Sequence, residues 1–397
     1  MIISVHGSPY ERGLMAGQQM RRAISLNVSN FWTSLDQMGI SRTWLTGKLE
    51  DWECEENQSD EIHGMSRATG IPINDLRAFN AYRKIFFPDE CTMMMAMGNA
   101  TVSGNTIYLK NSDKVGGKEL VGAKYHSFKE INVVRFEQVE SGTRIIGVSA
   151  AGETGLKMGI NNKGVATGSN ISRTTELKNR KVDLTRIRAL DRAELLRRGL
   201  YYPNALQAGK AILDEILENP MATPGNVHFV DPSGAYLLEG SYDKVAAQYV
   251  KDDVAIRANG FVLMKELNDP TDISTQARYI RGSSLLQENK GSLTPEKFVQ
   301  FSQDHENGPG LNSICRHNND YSKETSLSAM VMEIDRNTPS ASKIRICLGK
   351  PCHAWNNPAG NISLTANTKF EDIPESYKDG SAWKQFYSES PYQPKAS

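Results

Sequence analysis

The sequence predicts a mixed α+β fold, and three observations support that prediction. Helical periodicity dominates residues 1–90, whereas short β-prone runs dominate from residue 91 onward. Those runs form antiparallel-looking groups on either side of a helical block at residues 186–218. A doubly wound parallel sheet would instead alternate strands and helices regularly along the chain. We therefore expect helical layers packed on antiparallel sheets.

Helices in the N-terminal part are predicted from the spacing of apolar residues. One set of residues recurs every three or four positions and therefore shares a helical face. Its members are Ile24, Val28, Phe31, Leu35 and Met38. A further helix is predicted around residues 75–82, and Pro88 marks its end because proline interrupts helical hydrogen bonding.

The remaining elements follow from β-prone runs bounded by turn residues and from further apolar periodicities. Strands are predicted at 91–97, 106–110, 131–136, 144–149, 227–230, 235–239, 246–250, 328–334 and 343–348. The glycine-rich residues 152–168 indicate additional hairpins. Helices are predicted at 186–198, 205–218, 275–287 and 295–303, and a polar tail is predicted after residue 348.

The composition restricts the class of protein. Hydrophobic residues make up 39% of the 397 residues, which is enough for a sizeable core and too much for a disordered chain. The 46 basic and 46 acidic residues cancel, so we expect no nucleic-acid partner, because such a partner requires a basic surface. No apolar run reaches 18 residues, and residues 1–6 lack a signal-like pattern. We expect a cytoplasmic protein with no membrane partner.

The cysteines and histidines do not form a familiar metal-binding pattern. The five cysteines are odd in number and widely spaced, which argues against a disulfide framework. The chain has no CxxC pair and no HExxH, and the spacing in Asp304-His305-Glu306 matches no standard ligand pattern. We expect no metal and no cofactor, and we expect Cys315, Cys347 and Cys352 to be buried thiols.

Cys91 is the most informative residue for chemistry, because it begins a predicted strand where the helical segment ends. A thiol becomes nucleophilic when a base removes its proton, and no histidine pairs with Cys91 locally. Cleavage of the peptide bond before Cys91 would supply an α-amine, whose usual pKa of about 7.7–8.0 suits a base near neutral pH. A buried structural cysteine is the alternative interpretation.

Asp113 ends the second strand of the hairpin that follows Cys91, in the sequence Lys110-Asn111-Ser112-Asp113. A carboxylate at that position could orient the α-amine of Cys91, as the third member of a catalytic triad orients its base. The alternative interpretation is a turn at the end of a strand, where asparagine and aspartate are common.

The motifs around Cys91 and Asp113 resemble those of a known family. Cys91-Thr92 together with Asn111-x-Asp113 is similar to the beginning of an N-terminal nucleophile hydrolase. The resemblance is closest to the acyl-coenzyme A:6-aminopenicillanic acid acyltransferase-like family, of the peptidase C45 type. Further motifs of that family resemble residues 7–13, 159–165, 304–307, 313–316, 326–332 and 349–352. Their order and spacing together are specific for the family, though not for one substrate.

The resemblance implies a four-layer αββα sandwich. It implies that residues 1–90 form a helical segment and that residues 91–397 form the catalytic core. Self-cleavage between Glu90 and Cys91 would leave residues 1–90 bound to the core as a small subunit. The resemblance is imperfect at Glu90, because small residues such as glycine are familiar at that position in the family.

The resemblance also implies catalytic roles for individual residues. Cys91 matches the nucleophile, and Asp113 matches the acid that binds its free α-amine. Asn226 resembles an asparagine of the oxyanion hole, where its amide would stabilise the developing negative charge. Arg316 resembles an arginine close to the nucleophile, where it could hold Asp113 or a substrate carboxylate. The alternatives are a turn for Asn226 and a structural ion pair for Arg316.

Three further residues are expected to contact the substrate. Asn170 resembles the second site asparagine of the related bile-salt and penicillin V amidases. Asn111 belongs to the motif that contains Asp113, and Lys110 takes the place that arginine often holds in the amidases.

The function expected from the resemblance is hydrolysis or transfer at a small N-acyl or aminoacyl amide, such as a β-alanyl amine or an acyl-amino acid. The expected partner is a small-molecule amide or thioester. The alternatives are a non-catalytic ligand-binding protein of the same fold and a coenzyme A-dependent, penicillin-type acyltransferase. Hydrolysis and acyl transfer both stay open as the reaction, and a homo-oligomer stays open beside the small-molecule partner.

Overall fold

The computed structural model describes residues 1–52, 54–87, 89–114, 130–179, 191–219, 221–317 and 325–382. Within those residues the chain forms 14 strands and 11 α-helices. The first part of the helix predicted at 186–198 lies outside the described residues, and the described helix there begins at Arg192. None of the described helices is long and apolar enough to cross a membrane.

Eight strands form the first sheet. In spatial order they are β1 (Ile2–His6), β4 (Asn132–Gln138), β5 (Arg144–Ala150), β6 (Met158–Asn161), β7 (Ala166–Ile171), β8 (Gly225–Asp231), β9 (Gly234–Gly240) and β10 (Val245–Val250). Strand β1 pairs in parallel with β4, and every other pair in this sheet is antiparallel.

Six strands form the second sheet, and all of its pairs are antiparallel. In spatial order they are β11 (Val254–Arg257), β2 (Asp89–Ala96), β3 (Thr106–Lys114), β12 (Thr325–Ile334), β13 (Lys343–Leu348) and β14 (Asn361–Thr365). The register between β2 and β3 places Cys91 opposite Ser112 and Glu90 opposite Asp113. Cys91 and Asp113 therefore lie on the six-stranded sheet, whereas Asn170 and Asn226 lie on β7 and β8 of the eight-stranded sheet.

Helices cover the outer face of each sheet. Those on the eight-stranded sheet are α1 (Pro9–Gln37), α2 (Arg42–Gly47), α3 (Glu56–Thr69), α4 (Ile73–Phe86), α6 (Arg192–Gly199) and α7 (Ala205–Glu218). Those on the six-stranded sheet are α8 (Ile273–Glu288), α9 (Pro295–Ser302) and α10 (Pro351–Ala354). Two short helices complete the set, α5 (Thr175–Asn179) and α11 (Glu375–Lys378).

Alternating side chains on the central strands create two apolar layers. Met93 and Met95 of β2 pack between the two sheets, against residues such as Val148. Met94, between them in sequence, packs on the opposite face against Leu286 of α8. This alternation follows from the two-residue period of a strand. The predicted α+β class and the four-layer αββα arrangement are confirmed.

The first 90 residues share the core of the rest of the chain. They form the four helices α1–α4, but they begin with strand β1, which the sequence analysis did not predict. Ile3 and Val5 of β1 pack in one apolar cluster with α1, α3 and α4 and with Val133 and Ala150 of the sheet. Strands β11 and β14 were also not predicted, and β14 lies in the expected polar tail.

Residues 7–13 form the N-terminal cap and first turn of α1, and they contact α3 where the two helices cross. Ser8 and Glu11 form a capping box that satisfies free N–H groups at the start of the helix. At Gly13, a Cβ atom would overlap the backbone carbonyl of Glu61 on α3. The absence of a side chain at Gly13 therefore permits the close approach of the two helix backbones. Arg12 lies within 3.8 Å of Glu61 and 3.6 Å of Glu137, which ties this corner to β4.

Candidate active site

Cys91 lies near the start of β2, an inner strand of the six-stranded sheet, and it is fully buried. Its side chain shares a face with that of Met93, because side chains two positions apart in a strand point the same way. Met93 packs between the sheets, so the Cys91 thiol also faces the eight-stranded sheet. Ser112 lies opposite Cys91 on β3 and shares this face.

Two buried side chains hold the backbone of Cys91. The Cys91 N–H donates to Oδ1 of Asn259 at 3.3 Å, and Nη1 of Arg278 donates to the Cys91 carbonyl at 3.0 Å. Nη2 of Arg278 also donates to Asn259 Oδ1 at 2.9 Å, which fixes the two side chains relative to each other. The peptide groups on both sides of the Cys91 α-carbon are therefore anchored by polar contacts in the interior.

Glu90 lies among three arginines. Its carboxylate forms close ion pairs with Arg173 and Arg316, and Nη2 of Arg278 lies 3.9 Å from it. Burial opposes ionisation of Glu90, but the three positive charges outweigh burial and lower the pKa of this carboxyl to about 2. The residue that departs from the family pattern is thus an ionised, fully paired group in the intact chain.

Asp113 lies opposite Glu90 on β3 and is bound from β12 and from the loop before it. Ser326 Oγ donates to Asp113 Oδ1 at 2.6 Å, and Nε of Arg316 lies 3.7 Å from Asp113 Oδ2. Burial raises the pKa of Asp113, while the charges of Arg316 and Arg278 oppose the increase. Arg316 therefore bridges the carboxylates of Glu90 and Asp113.

Asn170 and Asn226 lie directly opposite each other on β7 and β8. Nδ2 of Asn226 donates to Asn170 Oδ1 at 2.8 Å and to Ser172 Oγ at 3.0 Å. Both asparagines face the six-stranded sheet, because the α-carbon of Gly168, two residues before Asn170, is turned toward Tyr108 on β3. The two amides therefore form a pair on the sheet face that lies across from Cys91.

Lys110 and Asn111 lie on opposite faces of β3. Lys110 is buried on the same face as Ser112 and Cys91, and its Nζ donates to the carbonyl of Lys157. Asn111 faces the helical layer, where its Nδ2 donates to the carbonyls of Ser302 and Ile314 at 2.9 and 3.1 Å. Asn111 therefore anchors α9 and the loop after it, and a direct substrate contact by Asn111 stays a prediction.

The thiol of Cys91 is not activated in the intact chain. Burial raises its pKa; the positive charge of Lys110 opposes the increase, and Asp113 and Asp89 add to it. The neutral thiol is therefore the dominant form near pH 7, and nucleophilic attack by Cys91 requires a base.

The structure adds three arginine and amide groups that the sequence analysis missed: Arg173, Asn259 and Arg278. Asn259 lies in Ala258-Asn259-Gly260, which resembles an ordinary turn, and Arg278 lies in a helix that was predicted only from its apolar spacing. Asn259 and Arg278 are separated from Cys91 by 168 and 187 residues in the sequence, so no local pattern marks them.

The two sheets between helical layers form the αββα sandwich expected of an N-terminal nucleophile hydrolase, and Cys91 lies on one of the inner strands. The chain belongs to the acyl-coenzyme A:6-aminopenicillanic acid acyltransferase family, whose model matches residues 101–352, more than half of the 397 residues. The matched segment contains Asp113, Asn170, Asn226 and Arg316 and begins after Cys91.

Among the solved structures that resemble this chain, three with low sequence identity are an amidase ortholog, an acylase and a hydrolase. A Caenorhabditis elegans ortholog of N-acylethanolamine-hydrolyzing acid amidase is 14% identical, covers 63% of this chain and 93% of its own, and has a TM-score of 0.39. For penicillin V acylase from Agrobacterium tumefaciens these values are 12%, 65%, 83% and 0.37. For a conjugated bile acid hydrolase from Clostridium perfringens they are 10%, 71%, 94% and 0.41. No curated protein matched the chain.

Proposed function

We propose that the chain is a self-processing amidohydrolase or acyltransferase that acts on a small N-acyl or aminoacyl amide through an acyl-enzyme on Cys91. The proposal rests on membership of the acyltransferase family and on one observation in particular. The nitrogen of Cys91 donates to Asn259 Oδ1, in a buried contact that Arg278 also holds. After cleavage this nitrogen becomes the α-amine, so the base would be formed with an acceptor already in position.

Processing begins at the peptide bond between Glu90 and Cys91. The Cys91 sulfur attacks the Glu90 carbonyl carbon, the C–N bond breaks, and the thiol proton goes to the released nitrogen. Water then hydrolyses the resulting thioester, which gives a carboxylate on Glu90 and a free amine and thiol on Cys91. The arginines around Glu90 hold its side-chain carboxylate in a fixed place beside the reacting carbonyl, and their positive charge would stabilise the new main-chain carboxylate.

Turnover uses the groups that processing releases. The α-amine takes the proton of the Cys91 thiol, and the thiolate attacks the substrate carbonyl to form a tetrahedral intermediate. We assign Asn170 and Asn226 as donors to the oxyanion, because both amides lie on the sheet face across from Cys91. Both hydrogens of Asn226 Nδ2 are already donated, so Asn226 would exchange its hydrogen bond to Ser172 Oγ for one to the oxyanion. The α-ammonium then protonates the leaving amine, and water or an acceptor amine resolves the acyl-enzyme.

Asp113 and Arg316 position the site in this scheme. Arg316 holds Glu90 before cleavage and Asp113 throughout, while Ser326 fixes Asp113 from the neighbouring strand. Lys110, on the same face as Cys91, is assigned to the substrate. Residues 1–90 stay attached as a small subunit, because β1 is hydrogen-bonded into the eight-stranded sheet and α1–α4 share its core.

The intact mass of the purified protein tests self-processing. We expect the wild-type chain to give two fragments, of 90 and 397 − 90 = 307 residues, and Cys91→Ala to give one full-length chain. Cys347→Ala, which removes an equally buried thiol from β13, is the matched control and should be processed like the wild type. A single full-length mass for all three proteins would refute the α-amine mechanism.

A panel of amides then tests the reaction. β-Alanyl amines and N-acyl amino acids are incubated with the processed enzyme, with and without hydroxylamine as an acceptor. Release of free acid alone indicates hydrolysis, and formation of a hydroxamate indicates acyl transfer. Iodoacetamide labelling distinguishes an enzyme from a binding protein, because selective, pH-dependent labelling of Cys91 requires a catalytic thiol, whereas equally slow labelling of all five cysteines contradicts the proposal.

A further inference from the structure

Four side chains with metal-binding atoms meet in the layer that covers the outer face of the six-stranded sheet. Their ligand atoms all lie within 4.8 Å of one another; the residues are His305, Cys315, His317 and Cys352. They come from the loop after α9, the segment before β12 and the short helix α10. Sequence spacing did not predict this arrangement, because the fold rather than a local motif brings the residues together. We refer to them as the His/Cys cluster.

The distances within the His/Cys cluster suit a tetrahedral zinc ion. Zinc binds thiolate sulfur at about 2.3 Å and imidazole nitrogen at about 2.0–2.1 Å, which gives a sulfur–nitrogen edge of about 3.6 Å in a tetrahedron. His317 Nε2 lies 3.7 Å from Cys315 Sγ and 2.9 Å from Cys352 Sγ. The first distance already matches, and the second would open by about 0.7 Å on binding.

A second observation also points to a ligand. The Nε2 atom of His305 is buried and has no hydrogen-bond partner within the described part of the chain. A buried polar atom without a partner is costly, and coordination to a metal would remove that cost. His305 and His317 are in edge-to-face contact, with ring centroids 4.7 Å apart, so both imidazoles are already close to the position that coordination requires.

The backbone around the His/Cys cluster is preorganised. The N–H of Cys315 donates to the Asp304 carbonyl at 3.1 Å, and the N–H of His317 donates to the Pro309 carbonyl at 2.8 Å. Arg281 of α8 pairs with the Asp304 carboxylate at 2.7 Å, which ties this loop to the helical layer. Two of the three segments are therefore fixed to each other before any ion binds.

We propose that the His/Cys cluster binds one Zn²⁺ with four protein ligands and that the ion has a structural role. Four protein ligands fill a tetrahedral shell and leave no open position for substrate, as is typical of structural zinc. Cys315 and Cys352 bind the ion as thiolates, so binding releases the proton that the pair of sulfur atoms still carries. Arg316 lies between two of the ligands in sequence, so the ion fixes the segment that places this arginine on Glu90 and Asp113.

Metal content tests this proposal independently of catalysis. Full-length protein, purified without chelators, is examined by elemental analysis and native mass spectrometry, and we expect one zinc per chain. Cys352→Ser and His305→Ala should each lose the zinc, whereas Cys54→Ser, a change in the N-terminal helical part, should keep it. If a variant fails to fold, replacement of zinc by Co²⁺ in the wild-type chain should give the thiolate charge-transfer absorption of a tetrahedral cobalt site.

Three results would overturn the zinc site. One is a wild-type protein that contains no zinc and takes up none when Zn²⁺ is added to the reduced chain. Another is full zinc content in both Cys352→Ser and His305→Ala. The third is loss of two hydrogens from the intact mass under non-reducing conditions, with Cys315 and Cys352 joined as a disulfide. None of these readouts depends on whether the chain is processed at Glu90.

Discussion

Replacement of Glu90 by glutamine measures how much its three arginines contribute to the stability of the intact chain. Glutamine has the shape of a protonated glutamate, so Glu90→Gln removes the negative charge and leaves the volume unchanged. The carboxyl has a pKa of about 2 in the folded chain and 4.5 as a free group. This difference of about 2.5 corresponds to about 3 kcal/mol of stability at neutral pH. Loss of one partner of a buried ion pair costs a similar amount, about 3–5 kcal/mol.

The pH dependence of this effect follows from the direction of the pKa change. Glu90 ionises more readily in the folded chain, so the stabilisation is complete above the ordinary pKa of 4.5 and disappears as the pH falls toward 2. Urea denaturation at pH 7, 5 and 3 measures it, with Cys91→Ala in every protein to prevent processing. We expect Glu90→Gln to lower the free energy of unfolding by about 3 kcal/mol at pH 7 and by clearly less at pH 3.

Glu140→Gln is the control for these measurements, because Glu140 is exposed and its substitution should leave stability unchanged. Equal stabilities of the Glu90→Gln protein and its parent at pH 7 would refute the reasoning. A stability difference that stays constant from pH 7 to pH 3 would also refute it, because the cause would then not be the charge.

Three further predictions concern the processed enzyme and the fold. Asn226→Ala should lower kcat about 100- to 1000-fold with little change in KM. Asn219→Ala, at an exposed position, should change neither kcat nor KM. A loss of kcat/KM that came from a higher KM with kcat unchanged would contradict the oxyanion assignment. The kcat/KM of the processed enzyme should rise with pH as the α-amine loses its proton, near pH 7.7–8.0 for an ordinary amine, and a flat profile from pH 6 to 9 would exclude this base. Gly13→Ala should lower the free energy of unfolding, measured by urea denaturation, by about 1–3 kcal/mol, because the added Cβ meets the α3 backbone. Gly47→Ala, which has open space around it, should leave the free energy of unfolding unchanged or raise it slightly. Similar losses for both variants would contradict the close approach of α1 and α3.

The sequence predicted most of the central strands because they carry a strong local signal. The predicted ends match the observed ones for the strand at 343–348 and the helix at 205–218. Apolar periodicity and turn residues mark both elements clearly in the sequence. Strand β1 was missed because it is short and lies at the edge of its sheet, directly before a long helix. Strand β14 was missed because its five residues, Asn361–Thr365, contain only two buried apolar side chains.

The candidate site was predictable only where chemistry coincided with a local motif. Cys91 and Asp113 were found because a cysteine at the start of a strand and a carboxylate at the end of the next strand form one hairpin. Arg278 and Asn259 could not be found in this way, because a buried arginine in a helix looks like any surface arginine in the sequence. Their partners are separated from them by long stretches of chain, and only the packing of α8 on β2 and β11 brings them together.

The parallel pairing of β1 with β4 joins residues 1–90 to the rest of the chain, which has a consequence for folding and refolding. If the bond at Glu90 is cut, as we propose, the two chains are held only by noncovalent contacts, and unfolding becomes a dissociation that obeys mass action. The melting temperature of the processed protein should then rise with protein concentration, whereas that of Cys91→Ala should not. Refolding of the processed protein would require two separate chains to meet, so under this proposal the covalent link between them would serve only the first folding event.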